Sequence, residues 1–369
     1  MKGFATAEGT VAYQGRFKDK LHKDHFRQTN GLWFSSLGIG SYLGQTDAHT
    51  DKLYETALKE AVNSGINVID SAINYRNQRS ERAFGRALAE LFQAGQVKRE
   101  ELILCTKGGF IPFDSDIPEN PETYFQKTYL DTGILKPGDI AQGCHAMAPA
   151  YLQDQLDRSL KNWGVDCLDI YYLHNPETQL GDVDRPEFSN RMRAAFAWLE
   201  EKVSEGKIRM YGTATWNGYR VGRESEDYLS LEELLVLARE AGGPQHHFKV
   251  VQLPFSLAMP EAWVFANQRF GANDVPFLVS AARYGMTVIG SASLLQSKLA
   301  GPLPEFLNNH FKNLSKSAQR SLQFARSVTG MTTSLIGMKN QEHVRENLEV
   351  AKVPALTENE LLLMFQQTP

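Results

Sequence analysis

The sequence predicts an α/β protein in which eight parallel strands close into a (β/α)8 barrel. Strand patterns and amphipathic helix patterns alternate eight times over roughly 320 residues, which is the repeat that such a barrel requires. The strand patterns are short aliphatic or β-branched runs with little polar alternation, as is typical of parallel strands buried on both faces. A doubly wound open sheet is the competing architecture. We favour the barrel because the glycines of GIGSYLG, after the first strand pattern, lack the GxGxxG spacing of a dinucleotide-binding turn.

The first part of the chain gives three of the eight units. Residues 1–30 are a polar preamble, in which Gly9 to Tyr13 could form one arm of a hairpin. Barrel strands are predicted at Trp33 to Ile39, Ile66 to Ile69 and Leu102 to Thr106. Helical patterns, with apolar residues three and four positions apart, lie between these strands. The order is therefore strand, helix, strand, helix, strand.

The alternation stops after the third strand, where Gly108 to Pro149 is rich in proline, glycine and aspartate. At roughly 40 residues, this connection is far longer than the usual link between a strand and a helix. Loops of this length are usually binding loops, lids or disordered segments. Its position after a strand favours a lid over the face where the strands end. We therefore expect one domain, residues 1–369, with a long loop at 108–149 over the active-site face.

The remaining five units follow in regular order. Their strand patterns are CLDIYYLH, KIRMYGTA, FKVVQLP, MTVIGSA and TSLIGM. Each is succeeded by a helical pattern, and a capping box of Ser230 and Glu233 opens one of these helices. A last helical pattern, opened by Thr357, extends the chain beyond the eighth unit.

Composition excludes several classes of protein. The chain has 42% hydrophobic and 22% charged residues, enough for a large core. A net charge of −4 gives no basic surface for nucleic acid or anionic lipid. No apolar stretch is long enough for a signal peptide or a membrane span, so we expect a cytoplasmic protein. The three cysteines form no CxxC pair and no ligand spacing indicates a metal site.

Four residues with complementary chemistry lie at or after the ends of three predicted strands: Asp70, Tyr75, Lys107 and His174. Barrel enzymes place their catalytic groups at the carboxyl ends of the strands. An ammonium beside a phenol lowers the phenol's pKa from about 10, which eases proton transfer at neutral pH. A carboxylate would keep that ammonium charged when it is buried. Each residue alone could be a loop cap, a turn residue or a solvated strand end; together they favour a catalytic site.

Several segments together resemble the aldo-keto reductase superfamily over nearly the whole chain from about Phe26. They are LGIGSYLG, INVIDSAINY, LCTKGG, LDIYYLHNP, GKIRMYGTAT, VVQLPFS and IGMKNQEHVRENLEVA, in the family's order. The resemblance implies a TIM barrel that reduces an aldehyde or ketone with NADPH or NADH. It also implies that the four strand-end residues form the catalytic set, with Tyr75 as general acid and His174 orienting the carbonyl oxygen.

The resemblance further implies a set of nucleotide-binding residues. Gln252, on the sixth strand, would bond the nicotinamide carboxamide, or else simply line the barrel. Gly337, Lys339 and Asn340 precede the last helix of the barrel, and a helix N-terminus beside a cation suits a phosphate. The whole predicted set is Thr215, Gln252, Ser291, Gly337, Lys339, Asn340, Glu346 and Asn347.

Three positions depart from the family pattern. The family commonly has Ser-Asn after the fifth strand, where this chain has Ala214-Thr215, and threonine makes fewer hydrogen bonds than asparagine. Ser291 stands where many members have an aromatic ring, and His343 where many have an arginine for the 2′-phosphate. Because Lys339 can take the place of that arginine, we expect NADPH, with NADH as the alternative.

The expected substrate is a small carbonyl compound. Tyr42 and Trp216 are its predicted pocket walls, and the loop at 108–148 brings further side chains to the same rim: Phe110, Phe113, Cys144 and His145. Because adjacent residues in an extended stretch point opposite ways, Cys144 and His145 do not indicate a shared thiol or metal site.

Two other functions remain open on the sequence alone. One is a barrel lyase or isomerase in which Lys107 forms a Schiff base. The other is a nucleotide-binding regulatory barrel with little turnover, which the altered Ala214-Thr215 pair keeps open. The sequence leaves the oligomeric state undetermined.

Overall fold

Eight parallel strands close into a barrel in the computed structural model, which describes residues 1–308, 310–311 and 313–366. The predicted (β/α)8 fold is therefore confirmed. The strands, in chain order, are Leu37–Gly40, Val68–Asp70, Ile103–Gly108, Leu168–His174, Ile208–Ala214, Phe248–Pro254, Thr287–Ser291 and Thr333–Gly337. Closure comes from the last strand pairing with the first, with Gly337 opposite Gly40.

A helix follows each barrel strand and covers it from outside. These eight helices are Ala48–Asn63, Arg79–Gln93, Pro149–Trp163, Arg185–Ser204, Leu231–Gly242, Phe277–Arg283, Ser317–Ser327 and Gln341–Leu348. Their ends follow ordinary capping chemistry: Asp47 Oδ1 accepts the Thr50 N–H at 2.7 Å, and Gly164 ends its helix with φ 66°. The other helices and helical turns of the described residues are Ala7–Gly15, Lys23–His25, Arg99–Glu101, Pro121–Phe125, Gln126–Leu130, Pro137–Asp139, Pro176–Gly181, Gly243–Gln245, Glu261–Val264, Lys298–Ala300, Glu305–Asn308, Glu349–Lys352 and Glu358–Gln366.

The N-terminal part differs from the expectation. Gly9 to Tyr13 is not a strand arm but lies in the helix Ala7–Gly15, which Thr6 caps by accepting the Gly9 N–H at 2.9 Å. A hairpin does occur, from Phe26–Thr29 and Leu32–Ser35, with Asn30 and Gly31 at φ 46° and 76° in its turn. The predicted strand at 33–39 was wrong as one element, because Ser36 separates the hairpin from the first barrel strand.

This N-terminal hairpin (residues 26–35) closes the amino end of the barrel. Its Leu32 and Phe34 belong to the cluster of side chains that fills the barrel interior, together with Val68 and Ile103 at the starts of two strands. Asn67, just before the second strand, accepts the Ser35 N–H at 2.8 Å. The opposite, carboxyl end of the barrel is left open to form a site.

The hairpin, and Ser36 directly after it, also contact the last two barrel units. Arg27 Nη1 donates to the carbonyl oxygen of Met331 at 2.6 Å, and the Ser334 N–H donates to Ser36 O at 2.9 Å. Arg326, which is buried, donates to Ser36 Oγ at 3.0 Å. Residues near the two ends of the sequence are thus bonded directly to each other.

The inserted loop (residues 109–148) has structure of its own. It contains the short helix and π turn at 121–130 and a two-stranded ribbon of Ile140–Ala141 and His145–Ala146. Tyr129 and Leu135 form a small apolar cluster with Tyr151 on the following helix. That this loop is a lid, and that the chain is a single domain, stay predictions. A second ribbon, Gln268–Phe270 with Asn273–Val275, follows the sixth strand.

Candidate active site

A cavity of about 500 Å³ opens at the carboxyl ends of the barrel strands. Both predicted wall residues, Tyr42 and Trp216, line it, as do Tyr75 and His174. The remaining lining residues are Asn74, Phe110, Asn175, Ala214, Thr215, Gln252, Ser291, Ala292 and Gln296. The structure therefore brings residues from most of the strand ends to one space.

Beneath this cavity lies a buried ion pair. Lys107 Nζ donates to Asp70 Oδ1 at 2.5 Å and to the carbonyl oxygen of Ser71 at 2.8 Å, and the lysine side chain is 0% exposed. The same Nζ lies 4.7 Å from the ring centroid of Tyr75. The Tyr75 ring in turn lies 5.7 Å from that of His174, centroid to centroid. All four residues predicted from the strand ends are thus neighbours.

Burial dominates the acidity of the phenol. It raises the pKa of Tyr75 above its ordinary value, and the Lys107 ammonium opposes that rise. The expectation of a net lowering is wrong: Lys107 acts in the expected direction, but desolvation outweighs it. For Lys107, burial lowers the pKa, but Asp70 and then Tyr75 outweigh burial and raise it above its ordinary value. The ammonium is therefore charged at neutral pH.

His174 is a neutral imidazole. Burial, and then the charge of Lys107, hold its pKa well below the ordinary range. Its Nδ1 is buried without a hydrogen-bond partner. The backbone oxygen of His174 accepts a bond from His145 Nε2 at 2.6 Å, and His145 Nδ1 lies 2.7 Å from the amide nitrogen of Gln179.

Of the four loop residues predicted at the pocket rim, only Phe110 lines the cavity, so that expectation is wrong for Phe113, Cys144 and His145. The separation of Cys144 from His145 is as the sequence indicated. Cys144 is exposed and His145 is buried, so the two side chains face apart. Phe110 lines the cavity, whereas Phe113 packs against Tyr124 at 5.6 Å between ring centroids. Within the part of the chain that the structure describes, no group of three or more His, Cys, Asp or Glu residues could hold a metal.

Three residues predicted to hold the nicotinamide lie in the cavity wall. Thr215 is buried and its Oγ1 has no hydrogen-bond partner. Ser291 lines the same space. Gln252 does too, but its Nε2 also donates to Asp70 Oδ2 at 2.8 Å, a contact that the sequence does not indicate.

The residues predicted to contact the phosphates and adenine lie outside the cavity, after the last barrel strand. Asn340 Oδ1 accepts the Glu342 N–H at 2.9 Å and so caps the helix Gln341–Leu348. Lys339 Nζ approaches the loop after the first strand: a Cβ built on Gly44 would lie 3.6 Å from it. Of the other residues predicted on this side, Gly337 is exposed and Asn347 is buried. Glu346 Oε2 lies 3.4 Å from Lys316 Nζ. His343, which stands where many family members have an arginine, is exposed.

Sequence reasoning missed two features of the site. Glu177, in the turn after His174, accepts backbone N–H groups from the loop after the fifth strand, and no pattern around it indicates this. Directly after Tyr75, three successive non-glycine residues have left-handed backbones: Arg76, Asn77 and Gln78, at φ 51°, 53° and 71°. The polar turn was visible in the sequence, but arginine and glutamine do not signal positive φ.

A family model described as the aldo/keto reductase family matches residues 36–224. The NADH-specific methylglyoxal reductase of Escherichia coli is 28% identical over 57% of this chain and 56% of its own length. The uncharacterized oxidoreductase YqkF of Bacillus subtilis is 22% identical over 92% of this chain and 94% of its own. A crystal structure of an aldo/keto reductase from Klebsiella pneumoniae, in complex with NADP and acetate, has a TM-score of 0.63 at 19% identity, covering 94% of this chain and 95% of that one.

These comparisons differ in what they establish. The match to the Escherichia coli enzyme spans little more than half of that enzyme. At 19% identity, the likeness to the Klebsiella pneumoniae structure establishes the barrel fold. The family model covers more than half of the 369 residues and includes the first five barrel strands. The chain therefore belongs to the aldo/keto reductase family.

Proposed function

We propose that this protein is an NAD(P)H-dependent oxidoreductase that reduces an aldehyde or ketone to an alcohol. One observation carries the proposal. Tyr75 and a neutral His174 line one cavity, and a buried Lys107–Asp70 ion pair lies directly beneath them. Carbonyl reduction needs a hydride at carbon and a proton at oxygen. This arrangement can deliver the proton.

Tyr75 is the general acid in this proposal. Its hydroxyl gives its proton to the carbonyl oxygen as the alcohol forms, and the charged Lys107 stabilises the phenolate that remains. Asp70 keeps Lys107 charged and fixed in place. His174, as a neutral imidazole, has one ring N–H, with which it bonds and orients the carbonyl oxygen.

The chain's own residues fit a nicotinamide nucleotide, which supplies the hydride when bound. Thr215 Oγ1 is a buried polar atom in the cavity wall that lacks a partner, and Ser291 and Gln252 lie in the same wall. The capped N-terminus of the helix Gln341–Leu348, with Lys339 beside it, suits a phosphate. We propose NADPH because Lys339 adds a cation there. The Escherichia coli relative is named as NADH-specific, so NADH is the alternative.

The proposed substrate is a small, uncharged carbonyl compound. Aromatic rings of Tyr42, Phe110 and Trp216 form walls of the cavity, and the amides of Asn74 and Asn175 add polar groups. Among the described residues, none that lines the cavity carries a full charge at neutral pH. We infer that the protein acts in the cytoplasm on this compound and binds neither nucleic acid nor lipid. Among the described helices, none combines the length and apolar character needed to cross a bilayer.

Tyr75→Phe tests the proposal, because it removes the proton and keeps the ring. We expect turnover to fall by several orders of magnitude, with the Kd for NADPH almost unchanged. Turnover is measured by nucleotide oxidation with a panel of aldehydes, and affinity by nucleotide fluorescence. Tyr284→Phe, on a helix end outside the cavity, is the matched control and keeps wild-type turnover. Near-normal turnover in Tyr75→Phe would remove Tyr75 from this role.

Lys339→Met tests the nucleotide preference. If Lys339 meets the 2′-phosphate, the Kd for NADPH rises about tenfold while the Kd for NADH changes little. Lys352→Met removes a comparable cation that instead pairs with Glu349, and serves as the control. Equal losses for both nucleotides in Lys339→Met exclude recognition of the 2′-phosphate.

Two outcomes would instead support the other two functions. A Schiff-base lyase is disfavoured because Lys107 is charged, buried and held by two oxygen atoms, whereas a Schiff base needs a free amine. Borohydride trapping of an aldehyde on Lys107 would support it. A regulatory barrel would bind NADPH and leave it unoxidised with every aldehyde of the panel.

A further inference from the structure

Glu177 joins two loops at the mouth of the barrel. It lies three residues after His174 and is 6% exposed. Its Oε1 accepts the backbone N–H groups of Trp216, Asn217 and Gly218, at 2.6, 3.1 and 3.4 Å. Since these three amides are consecutive, a single carboxylate oxygen fixes the start of the loop that follows the fifth strand.

The segment that Glu177 holds, residues 215–218, forms one side of the cavity. Thr215 and Trp216 both line the cavity, and the Thr215 N–H bonds to Gln252 O at 2.9 Å. Gly218 has no space for a larger side chain, because a Cβ there would lie 2.7 Å from a methyl group of Leu229. The segment 215–218 is therefore closely packed in the cavity wall, and Glu177 is one of the residues that hold it there.

We propose that Glu177 is a positioning residue of this site, which holds Thr215 and Trp216 in the cavity wall and releases the segment 215–218 when it becomes charged. This inference rests on the proposed function only in that a carbonyl substrate and a nicotinamide would meet this wall. Glu177 touches the wall through backbone amides and lines no part of the cavity itself.

The surroundings of Glu177 make ionisation of its carboxyl group unfavourable. Burial raises the pKa of Glu177 to about 7, against the opposing effect of the three amides. Its Oε2 is buried without a partner, and among the described residues no cation lies within ion-pair distance. The charged and titratable neighbours on the packed segments have other partners: Tyr219 bonds Thr213, Arg220 pairs with Glu261, Asp227 accepts from Asn217, and His174 is neutral.

The sign of the pH effect follows from linkage. With the segment seated, the pKa of Glu177 is about 7, whereas in water a glutamate has a pKa of about 4.3. The seated state therefore binds the proton more tightly and is favoured at low pH. As pH rises through 7, ionisation favours an open segment in which the carboxylate is hydrated.

The test uses Glu177→Gln and Glu177→Ala in the full chain, with NADPH and a neutral aldehyde between pH 6 and 8.5. In the wild type, the KM for the aldehyde rises severalfold as pH rises through 7. Glu177→Gln keeps an acceptor oxygen and loses the charge, so its KM is near the low-pH wild-type value and constant with pH. Glu177→Ala loses the acceptor, so its KM is raised about tenfold at every pH, with a smaller change in kcat. Glu187→Gln, an exposed glutamate paired with Arg191, behaves as wild type.

A second measurement is independent of turnover. Trp216 emission, obtained as the difference between each variant and its Trp216→Phe counterpart, changes with a midpoint near pH 7 in the wild type and is constant in Glu177→Gln. A wild-type pH dependence in Glu177→Gln, or an unchanged KM and emission in Glu177→Ala, overturns the proposal. If no variant and no wild-type sample oxidises NADPH, the proposed function fails, and the emission titration alone decides the role of Glu177.

Discussion

The Lys107–Asp70 pair is expensive to bury, and that cost indicates what it is for. Desolvating two ions costs several kcal/mol for each, and the attraction between them recovers this only with good geometry and further hydrogen bonds. Ser71 O and the Gln252 amide supply those bonds. A pair of this kind adds little net stability, and in the proposed reaction its role is to hold a cation 4.7 Å from the Tyr75 ring centroid without access to water.

Removing one partner of this ion pair should destabilise the fold far more than replacing both partners by apolar residues. Asp70→Asn leaves the Lys107 ammonium buried without its counter-ion, so we expect the free energy of unfolding to fall by about 3–5 kcal/mol. Urea denaturation at pH 7 measures this. Glu90→Gln, which removes the partner of Lys59 at the surface, is the control and should leave stability almost unchanged. Equal stability of Asp70→Asn and wild type would mean that the pair is hydrated in solution.

At the scale of single elements, the turn after Tyr75 fastens together the loops at the rim of the site. Three successive non-glycine residues in left-handed conformations cost of the order of 1 kcal/mol each, so the surroundings must hold them. Arg76 donates to Gln45 O at 2.7 Å in the loop after the first strand. Gln78 donates to Phe113 O at 3.0 Å in the inserted loop. Tyr75, the proposed general acid, therefore precedes a turn that is bonded to loops on both sides.

The start of the inserted loop is equally constrained. Gly109 has φ +150°, and a Cβ there would lie 2.6 Å from His145 Nε2 and 2.8 Å from His174 O. Gly109→Ala must therefore displace His174, His145 or both, and we expect kcat/KM to fall about ten- to a hundredfold.

Gly138→Ala provides the control for that substitution. It lies in the same loop, and a Cβ there would have nothing within 4 Å. Its kcat/KM should equal that of the wild type, and the comparison needs only steady-state rates with one aldehyde. Similar rates in the two variants would show that the loop adapts without moving His174.

At the scale of the whole molecule, the packed N-terminal hairpin and the proposed active site lie at opposite ends of the barrel. The N-terminal hairpin fills the amino end, where Phe34 is fully buried among the inward-facing side chains. The proposed reaction occurs at the carboxyl end. Substitutions in the hairpin at the amino end should therefore leave turnover at the carboxyl end almost unchanged.

Phe34→Ala measures this separation. Loss of a buried phenyl ring costs about 3–5 kcal/mol, so the thermal midpoint should fall by several degrees. Turnover at 25 °C should stay within about twofold of the wild type, because the variant is still folded there. Leu363→Ala, at an exposed position on the last helix, is the control for stability. A large loss of kcat in Phe34→Ala at 25 °C would show that the two ends are coupled.

The sequence was sufficient for the barrel fold and for bringing Asp70, Tyr75, Lys107 and His174 together, and physical reasons explain where it was not. Strand periodicity and residue type at strand ends are local properties, so Asp70 and Lys107 could be placed without coordinates. The hairpin was missed because Trp33 to Ile39 reads as one continuous strand, although Ser36 interrupts it. The net rise in the pKa of Tyr75 depends on depth of burial, and the contacts of Glu177 join loops 39 residues or more apart; neither is encoded locally.

The pairing of the eighth strand with the first has a consequence for biosynthesis. A ribosome delivers Leu37–Gly40 long before Thr333–Gly337, so until the eighth strand emerges the first and seventh strands each keep an unpaired edge. Arg27 likewise has no Met331 carbonyl to bind until that late segment emerges. The nascent chain is therefore exposed to edge-to-edge aggregation until the eighth strand emerges and closes the barrel.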